Sequence, residues 1–267
     1  HVQQSGLYGY PSLYLNFTDE MMPPLADYGG GSGCGGMFLH DLRWPGPFGN
    51  SAYTCDWGRS EVYLHRLPAA GATFAPHQQL FLKIPRPTDI DIDGSGRMYV
   101  ASWKNGKFNY GGPNVGFVAQ VTPNDFVPRP FPVLSDASDE QLVSFLASPS
   151  AVYRLHSQRE LLRRGPAQER ADRVLDLAAD KQATRFARVA AVFTLGQFSH
   201  SEVMDQLLSL VDVPAVRESV FRTLTDRRGR LDRLPAAPFV SALNDENPRV
   251  RAQALISLGR LGRVETA

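Results

Sequence analysis

Residues 121–136 read VTPNDFVPRPFPVLSD, and the four prolines at 123, 128, 130 and 132 decide how the chain is divided. Proline fixes φ and removes a backbone donor, so this run is expected to be a linker rather than a helix or a paired strand. On its N-terminal side, residues 1–133 hold 18 of the 23 glycines, 14 of the 20 prolines and all three tryptophans. Glycine, proline and aromatic residues at short intervals predict many short strands and turns. On its C-terminal side 18 of the 19 basic residues are arginine, and long stretches lack both glycine and proline, which predicts helices. The expected fold is multidomain β + α, with a β unit over 1–122, a linker over 123–137 and helical repeats over 138–263.

The helical half repeats. Arg154, Arg188, Arg217 and Arg251 are spaced by 34, 29 and 34 residues. Each is followed at the third residue by Ser157, Ala191, Val220 or Ala254, and at the seventh by Leu161, Leu195, Leu224 or Leu258. That spacing puts an apolar stripe on one helical face. A shorter amphipathic stretch precedes each: LVSFLAS, RVLDLAAD, VMDQLLSLVD and PFVSALND. Paired helices at this period predict an α-solenoid whose units bury their faces on one another. The segment resembles four HEAT repeats, in which an acidic residue in the turn and an arginine early in the second helix form a ladder. Asp180, Asp212 and Asp245 stand before Arg188, Arg217 and Arg251, while the first repeat has Ser148 and Ser150. The arginines are therefore expected to be scaffold rather than a phosphate-binding stripe.

The β half repeats more loosely. Tyr53–Trp57 (YTCDW) and Tyr99–Trp103 (YVASW) share a Y-x-x-x-W frame offset by 46 residues. A period in the forties built from short strands is that of propeller blades. GGMFLH, SAYTCDW and EVYLHRL are expected as three successive strands of one blade; TDIDID, RMYVASW and VGFVAQV are their counterparts in the next. Two blades and a fraction do not close a ring, so a partial β-propeller, the last blades of a longer protein, is the expectation. Asp89, Asp91 and Asp93 match the start of a calcium loop, but Ile90 and Ile92 alternate with them. The reading that follows is a strand ending in an Asp-Gly turn.

In a blade, the start of the inner strand and the loop between the second and third strands lie on one face. Arg86, at the inner-strand start, would there meet Trp103 and Lys104 of one loop and Trp57 and Arg59 of the other. Cations beside aromatic planes suit a flat anionic ligand.

DYGGGSGCGG, YTCDWGRSEVY, PRPTDIDIDGSGRMYVASWKNG and GPNVGFVAQVTP resemble the closing blades of glucose/sorbosone dehydrogenase-like propellers. The order of propeller then HEAT repeats is similar to that of the large "membrane-bound dehydrogenase" proteins of planctomycete-type bacteria. The resemblance implies a periplasmic or otherwise extracytoplasmic protein. It also implies pyrroloquinoline quinone (PQQ) held by Arg59, Arg86 and Lys104 with Trp57 and Trp103, a sugar-like or alcohol substrate, and a c-type haem in a missing downstream domain. The sequence departs from that family in having Thr88 where a second arginine is expected and no tryptophan in the Gly-rich turn. The family's catalytic histidine belongs to an early blade that is absent, so this fragment is expected to be inactive by itself. His40, His65 and His77 sit in strand or loop contexts with no acidic partner at a useful spacing, and His156 and His200 lie in the helical repeats. The alternative is a non-catalytic propeller–solenoid scaffold that binds proteins.

Other classes are disfavoured by composition. A formal charge of +1 gives no field for nucleic acid, and no apolar run approaches the ~18 residues of a membrane span. Cys34 and Cys55 form neither a CxxC nor a CxxCH. A bridge between them in neighbouring strands, or a reactive Cys34 in its glycine-rich setting, both stay open at this level.

Overall fold

The computed structural model describes residues 31–105, 113–165, 167–198 and 202–262. His200, residues 1–30 and 106–112 of the expected β unit, and the last residue of the expected repeats lie outside them. The chain divides into two units, 1–130 and 131–267.

Among the described residues the first unit holds two larger antiparallel sheets and a two-stranded hairpin. One runs β1 (Gly33–His40), β2 (Asn50–Asp56), β3 (Glu61–Arg66), β6 (His77–Lys83), with the two-residue strands β4 (Ala69–Ala70) and β5 (Thr73–Phe74) forming a small hairpin between β3 and β6. The other runs β7 (Pro87–Ile92), β8 (Met98–Ser102), β9 (Phe117–Val121). The first three strands of each sheet are those expected from the repeat. The fourth, β6, was not anticipated, because HQQLFLK lacks a clean alternation. Among the described residues the sheets form no closed ring of blades; what the structure shows is two antiparallel sheets of the expected strand order.

Alternation explains the central strands. In β2 the side chains of Ser51, Tyr53 and Cys55 are buried, and in β8 those of Met98, Val100 and Ser102, with their neighbours half-exposed. A period of two turns one face of each sheet inward, where Leu39, Trp44, Val62, Leu64 and Ile90 join them. The sheets meet along β7, which packs on β1 and β2. The approach is close at Gly35, where a methyl group would lie 2.4 Å from the Cα of Asp89, so only glycine fits. Trp44 Nε1 donates to the Gly96 carbonyl at 2.9 Å, carrying a hydrogen bond from one sheet to the β7–β8 turn.

Asp93 organises that turn. Its carboxylate accepts from Ser95 Oγ (2.7 Å), the Arg97 backbone (3.0 Å) and Tyr99 Oη (3.1 Å). Burial alone would raise its pKa, but these hydrogen bonds hold it below the usual carboxylate range. Gly96, at φ +92°, takes the left-handed position the turn requires.

The second unit is a succession of helix pairs: α1 (Asp139–Leu146) with α2 (Ala151–Arg163), α3 (Gln168–Ala179) with α4 (Arg185–Gln197), α5 (Val203–Leu208) with α6 (Arg217–Thr225), and α7 (Ala237–Ser241) with α8 (Pro248–Leu261). Local signals start several of them. Ser138 and Gln141 form a capping box on α1, Thr184 caps α4, and Asn247 followed by Pro248 opens α8. The second helices stack in order, α2 on α4, α4 on α6, α6 on α8. One core holds Leu146, Leu161, Val174, Leu195, Leu224 and Phe239, each such burial stabilising by about 1.5–3 kcal/mol.

The repeated arginines do the same work in every pair. Arg154 donates to the Ser148 carbonyl (2.6 Å), Arg188 to Ala178 (2.9 Å), Arg217 to Val211 (2.6 Å) and Arg251 to Asp245 (2.7 Å). Each satisfies carbonyls left over where the first helix of its pair ends. The carboxylate ladder expected from Asp180, Asp212 and Asp245 is therefore corrected. Arg217 pairs closely with Asp245 and lies 3.9 Å from Asp212, while Asp180 accepts from the Gln182 backbone instead. Carbonyl capping explains why the arginine can recur where the acid does not, as in the first pair with Ser148.

Candidate functional site

Three loops of the sheet unit carry the residues singled out by sequence, and short hydrogen bonds lace them together. In the β2–β3 turn the Asp56 carboxylate accepts from the backbone of Ser32 (3.1 Å) and Arg59 (2.9 Å). Ser60, next in the turn, accepts the Arg86 backbone N–H on its Oγ (3.2 Å) and the Ile84 N–H on its carbonyl (3.1 Å). The Arg86 carbonyl in turn accepts from the Trp103 backbone (2.9 Å). Ser102 Oγ closes the last link, donating to the Pro85 carbonyl and accepting from the Lys104 backbone (3.0 Å). Ser60, Arg86 and Lys104 all adopt left-handed backbone conformations, φ +58°, +43° and +43°. Each costs roughly 1–2 kcal/mol for a residue with a Cβ, and the surrounding bonds hold it there.

This lacing brings Trp57, Arg86 and Trp103 together. The Arg86 guanidinium lies 4.9 Å from the centroid of the Trp57 ring, and the Trp57 and Trp103 rings are 5.8 Å apart, tilted by 47°. Arg59 is directed elsewhere: its guanidinium is 3.7 Å from the Asp56 carboxylate and 3.5 Å from Tyr63 Oη. Lys104 is exposed at the start of the β8–β9 loop. Of the five residues, three form one cluster and two flank it.

The cluster meets two demands of a flat polyanion such as PQQ, an aromatic surface and a cation. It does not meet the third, since the two rings touch and leave no slot for a planar group between them. A planar ligand would have to lie on an outer ring face, with Arg86 and Lys104 as the cations toward its carboxylates.

The cysteines lie beneath the same loops as free thiols. Cys34 Sγ donates to the Pro87 carbonyl at 3.0 Å. Burial pushes the Cys55 thiol up to about 12 and raises Cys34 as well, which disfavours the thiolate that a reactive Cys34 needs. His65 is buried with Nε2 2.8 Å from Thr54 Oγ1, and burial lowers its pKa. His156 packs its ring on Phe131, 5.4 Å between centroids.

The helical unit offers a second candidate that sequence reading missed. A groove of about 320 Å³ runs between α2 and α4, lined by Arg154, Leu155, Gln158, Ala190, Phe193 and Gln197. Leu155 and Phe186 are exposed on these helices, 45% and 41%, and the Arg154 guanidinium lies 5.8 Å from the Phe186 ring. The signal was present, since Leu155 and Phe186 fall off the Arg–small–Leu stripe that marks the core face. Among the described residues no helix is long and apolar enough to cross a membrane.

Comparison with known proteins bears on this unit. No curated protein sequence matches the chain. The HEAT repeat family matches residues 237–264, which include α7 and α8. The match does not extend to the sheet unit, and it is to HEAT repeats that the end of the chain is similar.

Proposed function

We propose that the chain is a non-catalytic interaction protein whose helical unit is a platform for a protein partner. The observation that carries this reading is the groove between α2 and α4, where Leu155 and Phe193 line a concavity and Phe186 stands exposed nearby. Apolar side chains exposed on neighbouring second helices of a repeat stack suit a partner's apolar side chains. The HEAT match at 237–264 supports it. The test is affinity capture by the full chain from the cells that make it, with a Leu155→Asp/Phe186→Ser variant alongside. A specific partner retained by the wild type and lost by the variant is expected. Equal capture by both would count against the groove.

A second reading rests on the cluster of Trp57, Arg86 and Trp103. It is that this chain is part of a quinoprotein-type propeller, extracytoplasmic, that binds a flat carboxylate-bearing ligand such as PQQ. PQQ, when bound, would supply the two-electron oxidation of a hydroxyl-bearing substrate. The residues here would hold and orient its carboxylates through Arg86 and Lys104. Titration of PQQ into the chain, followed by tryptophan fluorescence, tests it. Saturable quenching that Arg86→Ala weakens is the expected result, and quenching indifferent to that change would remove the reading.

A further inference from the structure

The two helices that form the groove carry an unbalanced charge. Together α2 and α4 hold five arginines and one carboxylate, Glu160. Glu160 is itself taken up by Arg163 (2.7 Å) and Arg164 (2.9 Å). Arg188 is buried and donates to the carbonyls of Ala178 (2.9 Å) and Ala179 (3.5 Å). A neutral carbonyl satisfies a guanidinium's N–H groups without cancelling its charge. Arg185 reaches Glu218 at 3.2 Å, but Arg249 holds the same carboxylate at 3.1 Å. Arg159 is exposed, and its guanidinium makes no hydrogen bond or ion pair among the described residues.

The residues that line the groove include one cation, Arg154, and no carboxylate. Arg159 stands one helical turn from Leu155 and so shares its face of α2. The concavity is thus apolar at its walls and cationic around them. It also lies between two helices already in contact, so a repeat added at either end of the stack would leave it open.

We propose that the α2–α4 groove takes an acidic segment of a partner protein, with a leucine or phenylalanine seated between Leu155 and Phe193 and an aspartate or glutamate on Arg159. Charge complementarity selects this occupant. A cationic surround draws in apolar side chains flanked by carboxylates and repels those flanked by lysine or arginine. The proposal rests on the reading of the helical unit as an interaction platform, and it names the chemistry of the partner.

A random peptide library displayed on phage, selected against the full chain, is the probe. Peptides that join leucine or phenylalanine to aspartate or glutamate should be enriched. In fluorescence anisotropy the leading synthetic peptide should bind saturably, and about tenfold more weakly to the Leu155→Asp chain. Arg159→Glu should weaken it about fivefold, and added salt should weaken the wild-type complex. Both positions are exposed, and circular dichroism should show both variants folded. A peptide whose carboxylates are replaced by lysine should bind Arg159→Glu more tightly than wild type, a reversal that misfolding does not produce. Enriched peptides without acidic residues, or binding indifferent to Arg159→Glu, overturn the proposal. If such binding is still lost in the Leu155→Asp/Phe186→Ser variant, the platform reading stands without it. No enriched peptide also overturns it. If the chain then sediments with phosphatidylserine vesicles and Arg159→Glu prevents this, the cations belong to a membrane surface instead. Enrichment equal on wild type and all these variants removes the groove from both readings.

Discussion

Arginine is used in two ways in the two units. In the helical unit Arg154, Arg188, Arg217 and Arg251 each cap the carbonyls of a preceding helix, one solution used four times. In the sheet unit the cited arginines form no such series. Arg43 pairs with Asp41 and reaches the Ser95 carbonyl, Arg59 pairs with Asp56, and Arg86 lies over Trp57. Repetition marks residues that hold the fold, and a single arrangement on strained backbone marks a place where structure serves something else.

The comparison predicts that the repeated arginines matter more for stability than the singular ones. Arg188→Ala strands the Ala178 carbonyl in a buried setting and should lower the stability of the helical unit by about 3 kcal/mol. Urea unfolding followed by helical circular dichroism measures it. Arg86→Ala, which removes one guanidinium–indole contact, should cost about 1 kcal/mol or less. If the two losses were equal, the division between scaffold and site would fail.

Glycines sharpen the same contrast within the stack. Gly196→Ala drives a methyl group into Thr223 and should destabilise by about 1–2 kcal/mol, the cost of overpacking. Gly259→Ala meets open space and should stabilise α8 by up to about 1 kcal/mol through helix propensity. Thermal unfolding of the two variants should move the midpoint in opposite directions.

Acid should act on the helical unit through Glu160. Hydrogen bonds from Arg163 and Arg164 hold its carboxyl down at about 2, below its ordinary value of 4.5. As pH falls below about 4.5 the unfolded chain takes up this proton before the folded one does, so stability declines from there toward pH 2. The partners are partly exposed, so the effect is modest and weaker in salt. Glu160→Gln should flatten this part of the pH profile. The smallest effect is at Lys104, exposed and left-handed at φ +43°. Lys104→Gly should raise the stability of the sheet unit by about 1 kcal/mol or less.

How much could be read from the sequence depended on the kind of signal each residue carries. Tyr53 and Met98 sit where alternation puts them, and the paired Y-x-x-x-W frames foretold that Trp57 and Trp103 would occupy matching places. Strand β6 was missed because Gln78 and Gln79 break the alternation and a hairpin separates it from β3. The lacing by Ser60 and Ser102 was illegible, since a serine at a loop looks the same whether or not its hydroxyl ties two loops together. The exposure of Leu255 and Ile256 on α8 was hidden for the opposite reason: they look like core residues, and whether a neighbour covers them is a property of the stack.

The joints between second helices also differ in what crosses them. Between α2 and α4 there are the Gln158–Thr194 hydrogen bond and Arg154 over Phe186. Between α6 and α8 the Arg249–Glu218 and Arg260–Asp226 ion pairs join the Thr225–Ser257 hydrogen bond, and Arg217 reaches Asp245 just ahead of α8. Under a pull along the stack, the joint beside the α2–α4 groove is therefore expected to yield before the α6–α8 joint, which ion pairs also hold.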